Sequence, residues 1–336
     1  MKETIPQIRS WITGREPFVL ATVVQTWGSA PRKVGAHMAI HASGTMAGSV
    51  SGGCVESDVV KHAMELLESG HSKMLNYQVS DEDAWDVGLS CGGSVQVFCQ
   101  PFFISDQSGD ASFWKDVMLC IDENKGGVIA HSLASGDARP QYVHIGDNSD
   151  LSALAWEAFS KRKHTIIQQG EESMLLEVLP RNSALIIVGA AHVTVDLVHF
   201  AQQMGFETVV IDPRGFFSEG TKFLTPPDQL LTAWPEEVLP DMVLDAFTYA
   251  VTLSHQPRID DQALQILLRS DVAYIGALGS RKNHAKRTAR LIEAGFSEKD
   301  VSRIHAPVGL DIHASSAREI ALSIVAEIVQ VKNQFL

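Results

Sequence analysis

The sequence predicts an α/β protein, with an N-terminal α+β domain followed by a Rossmann-like domain on a doubly wound parallel sheet. Three observations carry this reading. From Ala184 onward, short apolar runs such as Ala184-Leu185-Ile186-Ile187-Val188 alternate with segments of helical periodicity, as in parallel strands buried on both faces. Before that point, Ala36 to Ile40 turns at Ser43-Gly44 and returns through Met46 and Ala47, which reads as an antiparallel hairpin. Between the two patterns lies the polar connection Pro180-Arg181-Asn182-Ser183, so the domains are placed at 1–182 and 183–336.

The elements follow in order. A short amphipathic helix holds Ile8, Trp11 and Ile12, and Phe18 to Val24 has strand composition. The hairpin feeds the turn Ser51-Gly52-Gly53-Cys54. Beyond it Val59, Val60, Ala63, Met64, Leu66 and Leu67 recur at helical spacing until Gly70 ends the helix. Ser94 to Phe103 is a strand that puts Val95, Val97 and Cys99 on one face, which makes Cys99 a packing residue. Cys120, inside Val117-Met118-Leu119-Cys120-Ile121, is also core. The stretch 104–182 gives a helix near 111–123 and strands near Gly127 to Ala130 and Tyr142 to Ile145. In the second half, strands are expected at 184–188, 208–211, 247–253 and 272–275, and helices at 193–204, 261–269, 281–294 and 316–331. The last helix opens on the capping box Ser316 and Glu319.

Composition narrows the function classes. At 336 residues and 45% hydrophobic, the chain can bury a sizeable core. A net charge of -13 argues against a general nucleic-acid or membrane-surface role, because phosphates and anionic lipids attract positive surfaces. Four cysteines without a C-x-x-C pair fit neither a zinc ribbon nor a disulfide framework, so a reducing cytoplasm is the simplest setting. No run approaches the roughly 18 to 20 apolar residues of a membrane span.

Two glycine-flanked cysteines stand out, Gly52-Gly53-Cys54 and Cys91-Gly92-Gly93. A thiol at a helix start, as Cys54 would be, has its pKa lowered by unpaired N–H groups and the helix dipole. The alternative is a tight turn around a buried cysteine. In the second domain, Gly189-x-Ala191-x-x-Thr194 keeps only the first glycine of a dinucleotide fingerprint. Asp212 follows at about the 20-residue offset of a ribose-binding acid. Gly276-Ala277-Leu278-Gly279-Ser280-Arg281-Lys282 joins a strand, a glycine turn, a Ser280 cap and basic residues into an anion site, while Lys286, Arg287 and Arg290 read as a solvated face. Ser254-His255 is either a ligand contact or a solvated loop. Ile304 to Asp311 either closes over a ligand or connects two elements. No hydrolase elbow, Walker lysine loop or H-E-x-x-H is present.

These motifs, together with Ala21-Thr22-Val23-Val24-Gln25-Thr26-Trp27-Gly28-Ser29-Ala30-Pro31-Arg32, Gly48-Ser49-Val50-Ser51-Gly52-Gly53-Cys54-Val55-Glu56, Asp212-Pro213-Arg214 and Ile304-His305-Ala306-Pro307-Val308-Gly309-Leu310-Asp311-Ile312, resemble the XdhC/CoxI family of xanthine dehydrogenase accessory proteins, in the same order across both domains. The resemblance implies an accessory chaperone without turnover of its own. Such a protein holds the molybdenum cofactor (molybdopterin) while a cysteine desulfurase supplies the sulfido ligand, then delivers it to a xanthine-dehydrogenase-type apoenzyme. A homodimer is the expected assembly. The expected cofactor contacts are Ser51, Gly52, Gly53, Cys54, Cys91, Gly92, Gly189, Ala191, His192, Asp212, Arg214, Gly276, Gly279, Ser280 and Arg281, with Cys54 as the thiol nearest the molybdenum. Two positions depart from the family pattern: Ala191 replaces a glycine, and Ser254-His255-Gln256 replaces Thr-His-Asp. The competing class is an NAD(P)-dependent oxidoreductase using the Rossmann-like domain.

Overall fold

The computed structural model describes the chain apart from residues 2, 29–31, 54, 80–92, 106–108, 137–138, 146, 148, 171, 216–222 and 335–336. It forms two compact units, Met1–Phe159 with Lys163–Leu179, and Ser160–Arg162 with Pro180–Leu336.

In the first unit, β1 (Phe18–Gly28) lies between β2 (His37–His41) and β5 (Gly93–Phe102), with β3 (Met46–Gly48) and β4 (Lys73–Val79) at the edges of an antiparallel sheet. Both faces of β1 are covered from Phe18 to Val24, which is why that part of its sequence is almost wholly apolar. Phe18 and Leu20 pack with Trp11 of α1 (Ile5–Gly14) and Trp114 of α3 (Gly109–Asp122). Val19, Ala21 and Val23 pack on the opposite face with Val59 and Ala63 of α2 (Glu56–Ser69). As the periodicity predicts, α2 stops at Gly70, whose φ of 75° is a left-handed cap. Cys99 shares the second core with Val97, and burial pushes its thiol up to about 12. Cys120 lies in the first core, its thiol also raised by burial.

A second antiparallel sheet runs in the order β7-β6-β9-β8, from β6 (Gly127–Ser132), β7 (Gln141–Val143), β8 (Thr165–Gln169) and β9 (Glu172–Leu179), with α4 (Asp150–Ser160) before β8. Sequence reasoning misses the β8–β9 hairpin, because edge strand β8 is mostly exposed and ends in the polar Gln168-Gln169. Inside this unit the Glu177 carboxylate of β9 bonds His37 of β2 at 3.1 Å and His131 of β6 at 2.9 Å, all three buried. Burial alone would raise the Glu177 pKa, but the two histidines hold it well below the usual range. This polar trio links the two sheets through the core.

The second unit is the predicted parallel sheet, in the order β12-β11-β10-β13-β14-β15. Its strands are β10 (Ala184–Val188), β11 (Glu207–Ile211), β12 (Gln229–Leu231), β13 (Thr248–Thr252), β14 (Tyr274–Ala277) and β15 (Ile304–His305). Leu185 and Ile187 face the core beneath α5 (His192–Gln203) and α10 (Ala317–Asn333), whereas Ile186 and Val188 face α7 (Pro257–Leu267) and α8 (Arg281–Glu293). The short helices α6 (Pro235–Val238) and α9 (Glu298–Val301) complete the order. At the start of this unit, Arg181 donates from Nη2 to Asp245 Oδ1 at 2.7 Å and from Nε to Oδ2 at 2.9 Å, a buried bidentate pair. Strand order reverses between β10 and β13, which makes their carboxyl ends the place where such a sheet receives ligands.

Candidate functional site

The glycine turn before α2 is wrapped around a carboxylate of the chain itself. Glu56 Oε1 accepts from Ser49 Oγ at 2.6 Å and from the backbone N–H groups of Val50, Ser51 and Gly52 at 3.2, 2.9 and 3.1 Å. Its Oε2 accepts from Ser51 Oγ at 2.5 Å and Gly53 N at 2.9 Å. Successive amides converging on one anion form a nest, and the φ values of Gly52 and Gly53, 83° and 123°, are what allow it. Burial would raise the Glu56 pKa, yet the hydroxyl and amide donors outweigh burial and lower it to about 2. The amides of Ser51, Gly52 and Gly53 therefore have an internal partner. Cys54 follows directly in sequence, before the helix cap Val55. Cys54, Cys91 and Gly92 lie outside the described residues.

In the second unit, the turn after β10 is closed by its own neighbours. Ala190 N donates to Asp212 Oδ2 at 2.6 Å, and Ala191 N donates to Thr194 Oγ1 at 3.1 Å, whose hydroxyl donates to the Gly189 carbonyl at 2.7 Å. Gly189 has a φ of 110°, and a Cβ there would meet Ser254 N at 2.4 Å, so packing of β10 against the end of β13 requires the glycine. Asp212, at the spacing of a ribose-binding acid, accepts from Arg214 Nε at 2.9 Å and Nη2 at 2.6 Å. Burial raises the Asp212 pKa and these bonds more than reverse it. His192 opens α5 and is exposed.

At the end of β13, Ser254 is buried and donates to Asp260 Oδ1 from both N, at 3.2 Å, and Oγ, at 2.6 Å. His255 is exposed at a φ of 61°. The loop after β15 is tied to α10, because Glu327 accepts from Gly309 N at 2.8 Å and Tyr274 OH at 2.5 Å and bonds His305 at 3.0 Å. This favours the connecting role for that loop.

The end of β14 carries the remaining turn. Gly276 is crowded, since a Cβ would meet Val308 Cγ2 at 2.5 Å, and Gly279 sits at a φ of 137°. Ser280 caps α8, accepting from Asn283 N at 3.3 Å. Arg281 is exposed, whereas Arg287, expected on a solvated face, is only 6% exposed. Its spacing of four from the buried Leu291 is the sequence signal that places it inward. Beside it lies a cavity of about 270 Å³ whose walls include His255, Leu278, Gly279, Asn283, Lys286 and Arg287. Lys286 remains exposed, and Arg290 pairs with Asp261. Among the described residues no group of histidine, cysteine or acidic side chains is arranged to hold a metal ion, and no helix is long and apolar enough to cross a membrane.

Comparison with known proteins agrees with this architecture. Residues 185–328 match the family described as XdhC Rossmann domain, and residues 11–78 match the one described as XdhC and CoxI family. The chain is 30% identical to a probable xanthine dehydrogenase subunit of Bacillus subtilis (strain 168) over 324 residues, covering 95% of this chain and 94% of that protein. It is 25% identical over 322 residues to the molybdenum cofactor insertion chaperone PaoD of Escherichia coli (strain K12), covering 94% and 83%. A crystal structure described as a xanthine dehydrogenase from Bacillus halodurans matches with a TM-score of 0.62 and 26% identity, over 99% of this chain and 96% of that one. With both domain families matched in chain order and a relative aligned along nearly its whole length, this chain belongs to the XdhC and CoxI family.

Proposed function

We propose that this protein is a maturation factor whose cargo is the molybdenum cofactor, which it holds for sulfuration and hands to a xanthine-dehydrogenase-type apoenzyme. The observation that carries this reading is the alignment of 94% of the chain with an insertion chaperone. Two features of the chain support it. The fingerprint turn engages the amides of Ala190 and Ala191 internally, which disfavours a dinucleotide pyrophosphate and so the oxidoreductase alternative. The nest around Glu56 holds Ser51, Gly52 and Gly53, the residues just before Cys54 in sequence, whose thiol is proposed to approach the molybdenum.

In the second unit, the Gly279-Ser280 turn opening α8 suits the cargo's phosphate. A cysteine desulfurase and the client apoenzyme are the proposed partners, and a homodimer the proposed assembly. The test is affinity capture from cell extract, with molybdenum and pterin analysis of the eluate, for the native chain and Cys54→Ala. Cofactor in the native eluate, reduced in the variant while circular dichroism is unchanged, is the expected result. An eluate free of molybdenum and pterin, together with micromolar NAD(P) binding, would replace this reading by the oxidoreductase one.

A further inference from the structure

We propose that the cavity beside α8 is a binding site for a phosphate monoester, and that its anchor is the buried Arg287 and not the exposed Arg281. Arg287 presents five N–H donors in a rigid fork. One contact is made by Nη2 to the Leu278 carbonyl at 2.9 Å, and Asp260 Oδ2 stands 3.9 Å from the same nitrogen. Its Nε and Nη1 are buried without a hydrogen-bond partner. A guanidinium withdrawn from water with the three N–H groups of Nε and Nη1 unused is costly, and an oxyanion is the partner that supplies charge-matched acceptors for them.

The surroundings favour an anion. Lys286 on the same wall adds positive charge, and the opening turn of α8, 13 residues long, adds the positive end of its dipole. Asp260 opposes, but its carboxylate already accepts both Ser254 donors, and burial raises its pKa, which shifts it toward the neutral acid. The second acidic neighbour, Asp261, is neutralised by Arg290, whose Nε and Nη2 both donate to it. Leu278 and Pro257 give the cavity an apolar side. Its volume of about 270 Å³ exceeds what a free phosphate fills, so it suits a phosphate carrying an organic group. The proposal deepens the cofactor-chaperone reading, and rests on it only for which phosphate monoester is bound.

The test titrates the full chain with inorganic phosphate, with AMP and with molybdopterin released anaerobically from a molybdoenzyme, at constant ionic strength. Arg287→Met is expected to weaken phosphate binding about 10- to 100-fold, while Arg281→Ala changes it little. Met keeps the apolar stem and removes a buried charge whose Nε and Nη1 have no hydrogen-bond partner, so its melting temperature without ligand should match or exceed that of the native chain. Arg287→Lys keeps the charge without the fork and is expected to fall between. Phosphate affinity unchanged in both Arg287 variants, or native protein that binds none of the three probes, overturns the site. Phosphate bound through Arg287 with molybdopterin rejected keeps the site and removes the cofactor reading. Molybdopterin bound equally by native and Arg287→Met chains keeps the cofactor reading and removes the site.

Discussion

Replacing Glu56 with Gln tests whether the glycine loop is held together by one carboxylate. The amide has nearly the same shape, but it sets an NH2 against Ser51 Oγ and Gly53 N, or against four other donors if flipped, and it carries no charge for six donors to share. A carboxyl moved from 4.5 to about 2 on folding stabilises the folded state by about 3 kcal/mol at neutral pH. Because the folded pKa is the lower one, this contribution is complete above about pH 4.5 and is lost as pH falls through about 2. A urea titration read by hydrogen exchange on peptides from β1 and β5 reports the first unit by itself. The native and variant curves should differ by about 3 kcal/mol at pH 7 and converge near pH 2. A gap below about 1 kcal/mol, or one that persists unchanged into acid, would refute the account of Glu56 as the loop's central acceptor.

Three further outcomes follow from the second unit. Gly189→Ala should cost about 3 kcal/mol or more, because it combines a positive φ with a Cβ 2.4 Å from Ser254 N; a melting temperature within a degree or two of the native chain would show that the strand end yields easily. Arg181→Met should destabilise by about 3 to 5 kcal/mol by leaving Asp245 buried without its bidentate partner, and adding Asp245→Leu should restore much of the loss, as chemical denaturation would show. Calorimetric titration with NAD+ or NADP+ should give no micromolar binding, because Asp212 and Thr194 already hold the amides that a pyrophosphate would use; tight binding would mean that this turn opens.

What the sequence determined by itself was local. Continuous apolar runs such as Ala184–Val188 specify parallel strands buried on both faces, and Gly70, Ser280 and Ser316 mark helix ends because a cap depends on residues within one turn. Cys99 was legible as a packing residue from its strand face, and Cys120 from the apolar run around it. Tertiary structure decided the rest. Glu56 reads in sequence as one acidic residue of a helix start, and only the fold of the preceding glycines turns the amides of Val50, Ser51, Gly52 and Gly53 onto it. Asp212 sits at the spacing of a ribose ligand, yet its partner is set by where Arg214 turns after β11. Arg287 and Arg281 are the same residue type on one helix; the spacing of four to Leu291 puts Arg287 on the packed face but leaves open what meets its charge there. Packing of α8 against the end of β14 puts Arg287 inside and leaves Arg281 in water, because burial of a charge is decided by what the opposite wall supplies.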